Sequence, residues 1–361
     1  MSNCACSIIL DNMEASDLRL FFLELTPACN NACVGCGNVF ASDRSFQPLS
    51  AREWYLVLDK IAPSACFFEI TGGEPTLHPQ FREIIRHVET LRIPFNLLTN
   101  GRWTEPDSII NLLTRASCLN SILVSLHGAS ANSHEAFTGV PGSFAETVDN
   151  IRRAVDAGLS VTTSTVLTRQ NRSEIEAIVA LGQELGASDA AFERYIGVPL
   201  PEWEPSEAEL CEAVTLIDVL GDTNGHGETG KNSLRSSIEH LSFDDKPVRF
   251  GVPIPHCFVV NSSHGCRAGT AQATVDPEGN VRPCNYAPVQ CGNLLIQSLE
   301  EIWQSAVMEE WRRMVPDECL KCLDFEKCRG GCRAAAMMQG LTRDPLMSIA
   351  SSVATPVSVD C

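Results

Sequence analysis

The sequence predicts an α/β fold: an open, partial (β/α)6 barrel followed by a cysteine-rich, mostly irregular extension with a few short strands and helices. Two observations predict it. Residues 18–220 alternate six times between a short apolar run and an amphipathic segment. Past residue 250 the alternation stops and cysteines crowd in, eight of the chain's 17 lying between 257 and 332. Strict alternation implies parallel strands joined by right-handed crossovers. Six units fall short of the eight that close a full barrel, so the barrel stays open.

The units follow in order. "LRLFFLELT" (18–26) reads as a strand and "AREWYLVLDKIA" (51–62) as its helix. "CFFEIT" (66–71) precedes the helix at 78–91, and "FNLLT" (95–99) the helix at 106–116. "SILVSL" (121–126) precedes 142–158, "SVTTSTVLT" (160–168) precedes 172–186, and "AAFERYI" (190–196) precedes 206–220. β-branched and aromatic enrichment marks the strands, and a 3.6-residue apolar period marks the helices. "GDTNGHGETGKNSLRSS" (221–237) is a loop by composition. The chain therefore divides into a tail (1–17), a barrel (18–220), a linker (221–250) and an extension (251–361), with one helix expected at 298–315.

The net charge of −18 repels phosphate backbones and argues against nucleic-acid binding. No apolar stretch is long enough to span a membrane, and no signal peptide opens the chain. A cytoplasmic location follows. There thiols stay reduced, so clustered cysteines point to metal rather than disulfides.

Chemistry in parallel α/β folds collects at the carboxyl ends of the strands. Four distinctive turns land there: Cys29, Cys33 and Cys36 in C-x3-C-x2-C spacing, "GGEP" (72–75), "TNG" (99–101) and "SLHG" (125–128). Thiolates at short spacing ligate zinc or iron–sulfur clusters. Three cysteines leave one iron of a [4Fe–4S] cubane without a protein ligand, free to bind N and O atoms of a small molecule. Gly72 and Gly73 let backbone approach that molecule, and Glu74 can accept hydrogen bonds from its ammonium group.

"LELTPACNNACVGCGN" followed by "ITGGEP" resembles the radical S-adenosylmethionine (SAM) superfamily. The resemblance implies that SAM binds the open iron and is cleaved to a 5'-deoxyadenosyl radical. It also implies that Asn100 and Ser125 hydrogen-bond SAM. Gly35 departs from the pattern, since the superfamily often has an aromatic residue before the third cysteine.

The second cysteine field matches another pattern. Cys266, then Gly279 and Cys284, then Cys319, Cys322, Cys328 and Cys332 in C-x2-C-x5-C-x3-C spacing, resemble the SPASM extension of radical SAM enzymes that modify peptides and proteins. This resemblance implies two auxiliary [4Fe–4S] clusters, three in all. Cys257, Cys266, Cys284 and Cys332 would hold the first. Cys319, Cys322, Cys328 and a late cysteine, Cys361, would hold the second. Cys291 reads as a spare thiol that could substitute for Cys257. On spacing alone, a pair of zinc sites stays open.

Candidate catalytic residues are Arg194 and Tyr195, closing the sixth strand on opposite faces, and His127 at the rim, read as solvated. Glu24 and Glu69 lie in apolar strands, as barrel-interior groups or paired with arginine. The resemblance implies a maturase of a ribosomally made precursor peptide. An anaerobic sulfatase-maturating enzyme is the alternative, but its aspartate base after the second SPASM cysteine is here Asn285, which cannot take a proton. A non-enzymatic zinc or iron–sulfur scaffold would leave the rim motifs unexplained. Only 28 residues precede Cys29, so a separate small leader-peptide recognition protein is expected. A low-potential electron donor such as flavodoxin or ferredoxin is expected as well.

Overall fold

The computed structural model describes residues 18–223, 246–251, 253–259 and 265–347. Cys361 lies outside them. Six parallel strands form the barrel wall: β1 (Leu20–Glu24), β2 (Phe67–Thr71), β3 (Phe95–Thr99), β4 (Leu119–Ser125), β5 (Val161–Leu167) and β6 (Asp189–Arg194). Each is followed by helix: α1 (Ala51–Ile61), α2 (Phe81–Thr90), α3 (Pro106–Leu113), α4 and α5 (Ala131–Thr138 and Ser143–Asp156), α6 (Ile175–Glu184) and α7 (Glu207–Thr223).

The sheet extends past these six. β7 (Val248–Phe250) joins parallel to β6, and β8 (Gln272–Val275) joins parallel to β1. β9 (Asn280–Arg282) and β10 (Gly292–Asn293) continue antiparallel from β8. The order is β10-β9-β8-β1-β2-β3-β4-β5-β6-β7, a ten-stranded open sheet. The cysteine-rich segment is thus hydrogen-bonded onto the barrel's first strand. The short strands at the two edges carry little apolar alternation, which is why periodicity does not reveal them.

Alternation along each strand sorts the side chains. Phe21, Leu23, Phe68, Ile70, Phe95, Leu97, Ile122 and Val124 face the helices and form the main core. α1 buries Trp54, Val57, Leu58 and Ile61 on one stripe, begins at a Ser50–Glu53 capping box, and closes that layer. Each such fully buried side chain contributes roughly 1.5–3 kcal/mol. The opposite parity points Glu24, Glu69, Asn96, Ser125 and Glu193 into the barrel.

The helix expected over 298–315 is two helices, α8 (Leu299–Trp303) and α9 (Ala306–Arg313). Ser305 breaks them, its side chain accepting the Met308 N–H as a new N-cap. Two more short helices, α10 (Phe325–Cys328) and α11 (Arg333–Met338), carry the last cysteines. Among the described residues no helix is long and apolar enough to cross a membrane.

Candidate cofactor site and cysteine centres

The three-cysteine loop leaves β1 and folds over the barrel mouth. Cys29, Cys33 and Cys36 lie within electrostatic reach of one another, and burial, with the two neighbouring thiols, pushes Cys33 up to about 12. Cationic and amide groups face the sulfurs. Arg44 Nη2 lies 3.5 Å from Cys36 Sγ, the Asn31 N–H donates to Cys29 Sγ at 3.4 Å, and Asn100 Nδ2 lies 3.8 Å from it. These donors suit sulfurs that carry negative charge.

The glycines of "GGEP" are required by backbone packing. The Gly73 N–H donates to Thr26 O and the Glu74 N–H to Ala28 O. A Cβ on Gly73 would stand 2.3 Å from Ala28 O and 2.5 Å from Pro27 O. Gly72 adopts φ +141°, and its carbonyl accepts from Asn38 Nδ2. The GGEP turn and the cysteine loop are therefore one unit. Gly73→Ala is expected to destabilise the chain by about 1–3 kcal/mol and to weaken SAM binding at least about tenfold. Denaturant melts and equilibrium SAM binding check this; unchanged affinity would refute the packing argument.

Glu74 corrects an expectation. Its side chain is fully buried. Oε1 accepts from Thr76 N and Oγ1 and from Thr99 Oγ1, and Oε2 accepts the Asn100 N–H at 2.7 Å. The carboxylate ties the GGEP turn to the end of β3, and its oxygens are engaged by these donors rather than held free for an ammonium ligand. Asn100 donates to Asn30 Oδ1 and accepts the Arg102 N–H. Arg102 in turn reaches Asn30 O, Asn31 Oδ1 and Glu146. Sequence reading missed Arg44, Asn38 and Arg102; the last directly follows "TNG". Ser125 ends β4 half-buried at the mouth.

Each of the three catalytic candidates has a partner within the fold. Arg194 pairs bidentately with Asp344, at 2.8 and 2.7 Å, and is buried rather than surface. Tyr195 donates to Val198 O and packs on the cysteine loop, its hydroxyl 1.8 Å from where a Gly35 Cβ would be. That ring fills the side-chain space at position 35, which explains the glycine there. His127 is buried, not solvated. Its Nδ1 accepts the Val166 N–H, and burial drives it down to about 3, so it is neutral.

Inside the barrel, Glu24 pairs with Arg282, whose Nη1 also donates to the carbonyls of Cys284, Asn285 and Ala287. Burial pushes Glu24 up to about 7 despite that partner. Glu69 takes the other expected role, an interior group with no arginine bonded to it.

The later cysteines fall into two groups. Cys266, Cys284 and Cys332 share a buried cluster with Ile196 and Trp311, and each sulfur is in the field of the others. The Cys257 thiol lies in the electrostatic field of Cys328 and Cys322, and Cys319 in that of Cys328, Cys257 and Cys322. Cys291 is buried in the main core, apart from both groups. Among the described residues no three His, Cys, Asp or Glu side chains converge on one point, as a single zinc ion needs.

Comparison with known proteins agrees with this geometry. The profile of the radical SAM superfamily matches residues 23–182, and that of the SPASM iron–sulfur cluster-binding domain matches 266–329. The chain carries a radical SAM domain and a SPASM domain. These domains imply SAM and [4Fe–4S] clusters, and the cysteine loop, with its donors and its glycine-tight turn, fits that requirement. The chain is 28% identical to an AdoMet-dependent heme synthase of Methanosarcina barkeri, over 88% of this chain and 92% of that one. It is 29% identical to the mycofactocin maturase MftC of Mycobacterium ulcerans, over 89% and 84%. In fold it is similar to Streptococcus suis SuiB bound to S-adenosylmethionine, with TM-score 0.70, 17% identity, and coverage of 92% and 78%.

Proposed function

We propose that this chain is a radical SAM peptide maturase acting on a ribosomally made precursor by cross-linking, epimerisation, decarboxylation or backbone excision. The charge inside the barrel carries this choice of substrate. Glu24, Glu69, Asp189, Glu193 and Asp276 lie on inward positions against Arg249 and Arg282, and both arginines already face protein acids. A tetrapyrrole substrate, the alternative raised by the heme synthase relatives, brings carboxylates of its own into that acidic space. A peptide with neutral or cationic side chains does not. The sulfatase-maturating alternative lacks its base, because Asn285 is an amide whose Oδ1 lies 3.5 Å from Cys284 Sγ.

In this reading Cys29, Cys33 and Cys36 hold the SAM cluster, and the Gly72–Gly73 backbone, Asn100 and Ser125 position SAM. When bound, cluster and SAM supply the electron and the 5'-deoxyadenosyl radical. Cys266, Cys284 and Cys332 hold one auxiliary cluster; Cys257, Cys319, Cys322 and Cys328 hold the other. The barrel (18–220), linker (221–250) and SPASM segment (251–361) act together in the cytoplasm with a low-potential donor and a separate recognition protein. Co-expression with a candidate precursor, read by mass spectrometry, tests this: a mass change on the peptide with matching 5'-deoxyadenosine is expected. Decarboxylation of a porphyrin with no peptide change would replace the reading. No SAM cleavage at all would favour the scaffold.

A further inference from the structure

Two acids inside the barrel have no cation bonded to them. Glu69 sits in the middle of β2 and Glu193 near the end of β6, four strands further along the sheet. Each nevertheless lies in the field of the same Arg249, and Glu69 in that of Glu193, so both project into one interior space. Glu69 is 5% exposed. Its Oε1 accepts from Asn96 Nδ2 at 3.1 Å, while its Oε2 is buried without any hydrogen-bond partner. Glu193 lies against the start of the linker's return, where a Cβ on Gly251 would stand 2.4 Å from its Oε1.

The nearest cation does not satisfy them. Arg249 directs Nη1 at Asp189 Oδ1, 3.4 Å away, and at the Lys246 carbonyl, towards the amino ends of the strands. Among the described residues neither Glu69 nor Glu193 has a cation within ion-pair distance. Tyr286, from the SPASM segment, faces Glu193 from the remaining side and brings no positive charge. An orphaned buried carboxylate oxygen is costly, and a matched donor from outside the chain removes that cost.

We propose that Glu69 and Glu193 form a subsite for a primary ammonium group of the substrate, held between the two carboxylates. A primary ammonium suits the space better than a guanidinium. Glu69 has one oxygen free, so a planar guanidinium can fork only onto Glu193, and that fork makes no use of the free oxygen of Glu69. A compact ammonium with three donors can reach one oxygen of each acid. The group is the side chain of a lysine or the amino terminus of a peptide. This deepens the peptide reading by naming what the barrel selects.

The test is titration calorimetry of the reconstituted, SAM-bound enzyme with small amides, which needs no precursor. N-acetyl-lysine methylamide carries the side-chain amine, norleucine methylamide the α-amine, and N-acetyl-norleucine methylamide neither. One of the amines is expected to bind at least about tenfold tighter than the neutral amide, and which one does so identifies the source. That preference should vanish in both Glu69→Gln and Glu193→Gln.

It should also grow with pH. Burial holds Glu69 up at about 8 and Glu193 at about 7. Below those values the acids are largely neutral and must release protons to receive the ammonium. For the side-chain amine, affinity therefore rises from about pH 6 to about pH 9, still below its own pKa of about 10; for the α-amine, which loses its proton at about pH 8, affinity rises only to about pH 8 and then falls. Proton release on binding, read from the heat in buffers of different ionisation enthalpy, is a signature that a structural role for these acids would not give. Equal affinity for charged and neutral amides, no measurable binding of either amine, or a preference surviving both substitutions would overturn the proposal. The precursor experiment can succeed or fail independently, so the two readings are separable.

Discussion

Cys33→Ala is expected to reduce 5'-deoxyadenosine formation to background and to lower iron from about twelve to about eight atoms per chain. The argument begins with the loop. Burial and the proximity of Cys29 and Cys36 make a metal-free thiolate at Cys33 unfavourable. Groups that favour charged sulfur nevertheless face the loop: Arg44 beside Cys36, and amides beside Cys29. Removing one thiol leaves two, too few to hold a cubane against exchange. Cys266, Cys284 and Cys332 lie in a separate buried cluster, so their metal should remain. Iron and sulfide analysis with product chromatography after anaerobic reconstitution decides it. Unchanged SAM cleavage in the variant would remove this loop from the chemistry; loss of all iron would mean that the centres assemble as one unit.

Much of this site could be read directly from the chain. Short spacing makes the cysteine loop visible because all of its ligands lie on one turn. The double glycine signals close backbone approach, and the structure supplies the partner, the Pro27–Ala28 carbonyls. What could not be read depends on contacts between distant segments. Glu74 looks like a ligand because nothing in "GGEP" shows that Thr99 and Asn100, about one strand–helix unit later, consume its oxygens. Arg194 looks like a free strand-end arginine because its partner, Asp344, is 150 positions away. Tyr195 and Gly35 are a matched pair, one supplying a ring where the other lacks a side chain, and no local pattern connects them. The parallel pairing of β8 with β1 is the fold-level case: four residues are too few to show a period, and the register is set by the wall they dock on.

Asp344→Asn is expected to cost about 3–5 kcal/mol, because it breaks a buried ion pair from one side. Asp344 is 1% exposed and serves three partners at once. Its carboxylate receives both Arg194 nitrogens, the Cys332 N–H at 2.7 Å and the Leu346 N–H at 2.9 Å. An amide offers one oxygen and turns a donor towards donors. The guanidinium of Arg194 would then remain in the core with its charge unbalanced. Gly331 supports the arrangement: it adopts φ +75°, and a Cβ there would stand 2.7 Å from the Asp344 Cβ. The pair joins the end of the barrel's sixth strand to a cysteine of the SPASM segment, so damage should spread to the metal as well as to the fold. A lower denaturation midpoint and loss of the auxiliary-cluster iron near Cys332, with the SAM-cluster signal retained, are the expected results. The double variant Arg194→Met with Asp344→Asn should recover part of the lost stability, since it removes both buried charges together. It should not recover the iron, because the Cys332 N–H still lacks its carboxylate acceptor. Stability of Asp344→Asn within about 1 kcal/mol of the parent would place the pair among ordinary surface contacts. Recovery of iron in the double variant would show that Cys332 needs a neutral, well-packed neighbour and not the carboxylate itself.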